Sequence, residues 1–483
     1  MLTPKNNANQ MRTRILVKIV EKFLQNRFND ADRIPLELRP KGEPFNRCCI
    51  YKDRAILKYR CMAGMGFAPE DEKDELTTLR EYGEQAMART QHAPNKLSVI
   101  TDACSACIKS RYMVTDACRG CFAQPCKVNC PKQAISIVDG RSHIDETKCI
   151  ACGRCQEVCP YHAVIRVPIP CEEACPVGAI SKDETGKEHI DPEKCIFCGK
   201  CLHSCPFGAV VEMSQIVDVL KALNDSDKKV VAMLAPAVIG QFPGTINQLI
   251  SALKKIGFSD VVEVAVGADI TTQNEAAEFV EKMEHGEKLM TTSCCPAYYK
   301  AAEVHIPEIK PFVSHTQPPM YYTAELLKKE QPDCIAVFVG PCLAKRIEAE
   351  RNPNVDYVLT FEEVGAMLVA GGVFVMDCEP QEFTKISCAQ GRRFPVSGGV
   401  AGAVQSLVEG KADYRPFAIN GLNKANIKLL KQYATKGCDY NMIEVMTCEG
   451  GCVAGPGCIA LAKKAAIMVE NYVKEGPNLK DAK

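Results

Sequence analysis

The chain has 483 residues, 46% of them hydrophobic, so it can bury more than one core and is expected to be multidomain. Lys plus Arg and Asp plus Glu both total 59, and the resulting zero formal charge excludes a global field that would recruit nucleic acid or an anionic membrane. Twenty-nine cysteines in a chain with this much apolar content read as metal ligands rather than as a disulfide scaffold.

The amino-terminal stretch interleaves apolar residues with Arg, Lys and Glu at helical spacing. It has neither the unbroken apolar run nor the small-residue cleavage site of a signal peptide, so a cytoplasmic protein is expected. No window reaches the ~18 consecutive apolar residues of a spanning helix, and membrane insertion is not expected. Residues 1–100 are expected to form a mostly helical segment, with amphipathic helices near 11–28 and 70–90 flanking a Pro- and Gly-containing stretch. Cys48, Cys49 and Cys61 in that stretch lack ligand spacing and read as small buried apolar side chains.

Residues 101–212 have another texture. Sixteen cysteines fall between Cys104 and Cys205, and the segments PKQAISIVDGRSHID and PVGAISKDETGKEHID mark an internal repeat. Cys149, Cys152, Cys155 and Cys159 before Pro160 form C-x2-C-x2-C-x3-C-P, and Cys195, Cys198, Cys201 and Cys205 before Pro206 repeat it. This is the bacterial ferredoxin run, in which three thiolates wrap one cubane and the fourth reaches a neighbouring cluster. Two α+β ferredoxin-like modules are therefore predicted.

Cys118, Cys121, Cys126 and Cys130 partner the first run, whereas the second has only Cys171 and Cys175 nearby, leaving Cys104 and Cys107 to complete the set. The allocation is Cys118, Cys121, Cys126 with Cys159; Cys149, Cys152, Cys155 with Cys130; Cys195, Cys198, Cys201 with Cys175; and Cys104, Cys107, Cys171 with Cys205. Four 4Fe-4S clusters use all sixteen thiolates. A zinc site is the competing reading, but overlapping runs offer more thiolates than one tetrahedral ion uses.

Beyond Gln215 apolar strand-like runs alternate with helical stretches: 230–236, 261–268, 334–342 and 443–447 against 245–257, 274–286 and 361–372. That alternation predicts an α/β domain with largely parallel sheets over 225–483. Three motifs follow such runs: TTSCCP at 291–296, GPCLAK at 340–345 and MTCEGGC at 446–452.

As an ordered set these motifs resemble the signatures of the iron-only (FeFe) hydrogenases, over roughly residues 230–465. The resemblance implies an H-cluster, a 4Fe-4S cubane bridged to a two-iron subsite carrying carbon monoxide, cyanide and a dithiolate. By motif position Cys295, Cys342 and Cys448 are implied cubane ligands and Cys452 the ligand bridging to the subsite. Cys294 matches the proton-carrying cysteine, Lys345 the lysine that donates to an iron-bound cyanide, and Met446 a methionine packed near the subsite. The segment GADITTQNEAAEFVEK resembles the one that carries two relay glutamates, here Glu275 and Glu278, on one helical side.

Gly340, Leu343 and Glu449 depart from common family choices (methionine, a small polar residue and proline) and resemble a less-studied, group B-like branch. Ser397-Gly398-Gly399 fits no phosphate-loop spacing and reads as close backbone packing. The implied activity is reversible reduction of two protons to H2. Electrons would be exchanged with ferredoxin or a redox subunit, and maturation proteins would supply the cofactor. The competing readings are an iron-sulfur assembly relative of the same fold, a hydrogen-sensing relative and a pure electron carrier. The Cys294–Cys295 pair argues against the first, and the four motif cysteines argue against the last.

Overall fold

The computed structural model describes residues 6–44, 47–104, 107 and 111–481. The first helix, Asn7–Leu24, begins where the Asn6 side chain accepts the Asn9 amide and ends at Asn26, whose φ of +52° leaves helical space. It therefore lies four residues earlier than its apolar spacing suggests. The stretch expected to separate two helices carries Ile50–Gly64, a helix its Gly content disguised. The expected helix at 70–90 shortens to Leu79–Ala88, because Pro69 opens a single 3-10 turn and Thr78 with Glu81 forms a capping box. Cys61 is fully buried as expected, but Cys48 is exposed and Cys49 half-buried, so that reading fails for those two.

Met11, Ile15, Ile19 and Phe23 line one side of Asn7–Leu24 and join a core with the strands of the carboxy-terminal region. A buried ion network reinforces the contact. Arg346 donates to Glu363 at 2.9 and 3.0 Å and to Glu212 at 3.2 Å, while Arg12 on the first helix pairs with Glu362. Carboxylates and guanidiniums buried together satisfy each other, and losing one partner strands the rest.

Each repeat segment folds as a hairpin, Ile135–Val138 on Arg141–Ile144 and Ile180–Lys182 on Glu188–Ile190. Each module is closed by an antiparallel pair: Tyr112–Val114 with Val164–Arg166 in the first, Leu97–Val99 with Val210–Glu212 in the second. The strands of the second pair bracket the first in sequence, so the first module is an insertion within the second. That nesting explains why Cys104 and Cys107 stand so far from Cys171.

The carboxy-terminal region has two parallel sheets. One has the order Asp260–Glu263, Val230–Leu234, Ile335–Gly340, Tyr357–Thr360; the other has Met290–Thr291, Met442–Met446, Pro416–Asn420. The four runs read as strands are strands. The run at 261–268 is one only to Glu263, because the helix Ala265–Glu284 starts inside it. Met290–Thr291, Tyr357–Thr360 and Pro416–Asn420 were not expected, since a two-residue strand and a Pro-led one carry little pattern.

Candidate functional site

The three motifs follow the carboxyl ends of Met290–Thr291, Ile335–Gly340 and Met442–Met446, where open parallel sheets place their ligands. Both sheets point these ends into one cavity of about 90 Å³. Cys294, Cys295, Cys342, Lys345, Met446, Cys448 and Cys452 all line it, among Ala, Pro, Val, Met and Phe side chains. Residues separated by more than 150 positions in sequence thus share one small, largely apolar chamber.

Close backbone approach makes the convergence possible. A Cβ on Gly451 would stand 2.4 Å from the Pro395 carbonyl oxygen, and one on Gly455 would stand 2.6 Å from that of Pro341. Gly399 likewise would strike Arg393 O at 2.1 Å, in keeping with the packing role read for that glycine pair. Glu444 beneath it accepts the Gly398 and Ala401 amides at 2.7 and 2.9 Å at the start of a helix.

Burial, and then the neighbouring thiols Cys295 and others, push Cys342 up to about 12 and raise Cys448 and Cys452 as well. Thiolates crowded into an apolar chamber need compensating positive charge, which soft iron supplies. The donor set therefore fits an iron-sulfur centre. Cys294 is also raised, by burial first and then by the charges of Glu275 and Cys295, so at neutral pH it keeps its proton.

Glu275 and Glu278 lie on the helix Ala265–Glu284. Glu275 is fully buried, accepts the Ser293 amide at 3.4 Å through one oxygen, and leaves the other without a partner. Burial, with added repulsion from Glu278, lifts its carboxyl up to about 8. Burial also opposes charge on Glu278. There, however, bonds from Ser314 Oγ at 2.6 Å, the His315 amide at 2.8 Å and Thr316 Oγ1 at 2.8 Å prevail and hold it below the ordinary value. Lys282 Nζ stands 3.3 Å beyond, from Glu278 Oε1. Ser314 was not singled out in the sequence. It comes from a loop 36 positions downstream, with no local pattern tying it to the helix.

Lys345 does not stand alone. Its Nζ lies 2.8 and 2.6 Å from the two carboxylate oxygens of Glu348, one helical turn on. Burial disfavours the ammonium, but the Glu348 charge overrides it and the net shift is upward. Gly340 is explained by Phe338, whose ring would lie 2.3 Å from any Cβ at 340 and itself lines the cavity. Leu343 is 2% exposed and packs into the second module's core against Gly199.

In the modules, the four Cys-Pro turns share one contact. The amides of Ala134, Ala163, Ala179 and Ala209 donate to Cys130, Cys159, Cys175 and Cys205 at 3.2–3.4 Å. Cys130, Cys149, Cys152 and Cys155 line one crevice. Ser142 touches both Cys118 and Cys126, and Cys126 shares a core with Cys159, while Cys121 is half-buried. Burial and then the neighbouring charges of Glu188, Cys205 and Cys107 push Cys171 up to about 12, and Cys104 also feels Cys205. Cys195, Cys198 and Cys201 each feel Cys175, and Cys198 also lines the cavity of the motif cysteines.

Two nested ferredoxin-like modules set against a cysteine-lined cavity at the mouth of parallel sheets define an iron-sulfur protein. Residues 228–456 match the family described as the C-terminal domain of the iron-only hydrogenase large subunit. Residues 170–209 match the 4Fe-4S dicluster domain and 142–165 the 4Fe-4S binding domain. The periplasmic [Fe] hydrogenase large subunit of Nitratidesulfovibrio vulgaris is 31% identical over 372 residues, covering 65% of this chain and 85% of that protein. Cytosolic iron-sulfur assembly component 3 of Rattus norvegicus is 27% identical over 270 residues, 44% of this chain and 57% of that protein. A solved FeFe-hydrogenase from Chlamydomonas reinhardtii aligns with a TM-score of 0.46 at 20% identity, over 55% of this chain and 92% of that one. The chain belongs to the iron-only (FeFe) hydrogenase family. Among the described residues no helix is long and apolar enough to cross a membrane.

Proposed function

We propose that the chain reversibly reduces two protons to H2, the observation that carries this being the convergence of Cys294, Lys345 and four further motif cysteines on one largely apolar cavity. Cys295, Cys342 and Cys448 would hold the cubane part of the cofactor and Cys452 the part that meets the two-iron subsite. When bound, that H-cluster supplies the redox and hydrogen-binding chemistry. Cys294, kept protonated by burial, delivers and collects protons at the cavity. Glu275, neutral below about pH 8, exchanges them with Glu278 through the Ser314 hydroxyl. The Lys345 ammonium has three N–H bonds, and two Glu348 oxygens leave one for an anionic ligand such as cyanide. Met446 packs beside Cys294 and Cys452 as a wall of the chamber.

The reading extends to the wiring. The sixteen thiolates would hold four 4Fe-4S clusters in the allocation given above, and Cys198, which lines the cavity, would place the Cys175–Cys195–Cys198–Cys201 cluster next to it to supply electrons. The working divisions are a helical segment at 1–100, the cluster modules at 101–212 and the catalytic region at 225–483. The chain is a group B-like member that exchanges electrons with ferredoxin or a redox subunit and receives its subsite from hydrogenase maturation proteins. We place it in the cytoplasm, although one relative is named as periplasmic, and fractionation checks this.

The similarity to the iron-sulfur assembly component makes a non-hydrogenase role the second reading. Cys294 beside Cys295, and the buried acid Glu275 whose charge acts on it, favour the first, because proton delivery is what those groups are equipped to do. Hydrogen evolution from reduced methyl viologen by protein made with the maturation proteins tests the choice. Turnover is expected, and its absence with all iron loaded returns the chain to the second reading.

A further inference from the structure

The two cluster modules repeat one backbone in different surroundings. Ala151 and Phe197 both have φ of +54°, Gly153 and Gly199 have +86° and +72°, and the cysteine spacing from 149 to 159 equals that from 195 to 205. In the second module Ile196 is 1% exposed and shares a core with Tyr298 and Ala344. Lys200 Nζ there donates to Leu422 O at 2.5 Å, and a Cβ on Gly199 would stand 2.7 Å from Pro456. This is the face through which Cys198 reaches the catalytic cavity.

In the first module the counterpart Ile150 is 57% exposed, and Cys152 and Arg154 are exposed too. The face that seals one module onto the catalytic region stands open on the other. It lies over the crevice lined by Cys130, Cys149, Cys152 and Cys155, with Lys132 and Arg154 at the same crevice. Of the eight Lys and Arg in residues 111–166, Arg111 and Arg166 are paired with Glu172 and Glu173, so the positive charge at the crevice itself comes from Lys132 and Arg154.

We infer that the surface around Ile150, Cys152, Arg154 and Lys132 is the docking site for the electron partner, an acidic redox protein whose own centre lies beneath an apolar patch. The apolar contact follows from what the equivalent face does in the second module, and the acidity follows from charge complementarity. One electron passes from the partner's reduced centre, which is oxidised, to the cluster held by Cys149, Cys152, Cys155 and Cys130, which is reduced. No bond or proton moves. The inference rests on the proposed function only for the fate of that electron.

The test uses the full chain loaded with its clusters and a reduced, acidic two-cluster ferredoxin as the probe. Stopped-flow bleaching reads the rate of cluster reduction, and titration calorimetry reads affinity. Ile150→Glu is expected to lower both by about tenfold or more. Ile150→Leu restores them, and reduction by dithionite stays unchanged. The wild-type rate falls as salt rises. Unchanged affinity in Ile150→Glu, a flat salt profile, or the loss appearing instead in Arg47→Glu at the separate basic crevice beside Phe207 overturns the inference. Loss of hydrogen turnover with these effects intact rejects the proposed function and leaves the docking site standing.

Discussion

The cluster modules and the catalytic region hold cysteines by opposite strategies. In the modules the proposed ligands come in short runs. The first module's separate core has six buried residues, two of them cysteines, whereas the second packs its runs into a larger core shared with Ile56, Ala63 and Leu343. In the carboxy-terminal region the proposed ligands are scattered from Cys295 to Cys452, and extensive apolar strands bring them together. The first module, with so small a core, is expected to need iron to fold, whereas the carboxy-terminal region is expected to form its chamber without it.

Iron removal should separate the two most sharply. Chelation is expected to abolish amide-exchange protection across 111–166 while leaving the strands at 230–234 and 335–340 protected. Equal loss in both regions breaks the comparison. Next in size, Cys294→Ser should cut hydrogen turnover by ~10²–10⁴-fold while leaving accessory-cluster reduction unchanged, since only proton delivery is lost. A parallel fall in cluster reduction would mean that the site is not separable from the wiring.

Leu343→Ala probes the seam where the two strategies meet. Removing this buried side chain between the second module and the catalytic region should cost ~2–5 kcal/mol, read as a lowered denaturation midpoint. The smallest effect is electrostatic. The Glu275 carboxyl sits at about 8 in the fold against an ordinary 4.5, so the folded state binds the extra proton between those values and stability declines as pH rises through that window. Glu275→Gln should flatten that slope, measured by denaturant midpoints across the range. An unchanged slope would remove Glu275 from the buried acid chain.

The same contrast governs what could be read in advance. The cluster runs were legible because iron ligation imposes local spacing, and the repeat revealed two modules. Their nesting was not legible, because the pairing of Leu97–Val99 with Val210–Glu212 leaves no local mark. In the catalytic region the motif cysteines were legible through family resemblance, and the strands before them through apolar runs. Ser314 and Glu348 were not, because their roles depend on contacts that only the fold creates: Ser314 reaches a helix far upstream, and Glu348 turns back onto Lys345. Phe338 was equally hidden, although Gly340 pointed to an unusual wall.

The central claim is that the chamber of Cys295, Cys342, Cys448 and Cys452 takes a two-iron subsite as well as a cubane. Infrared spectroscopy of the chain produced with the maturation proteins tests it directly. Carbonyl and cyanide stretching bands, lost in Cys452→Ser while the accessory clusters remain, are the predicted result. A spectrum without those bands from fully iron-loaded protein would contradict the account.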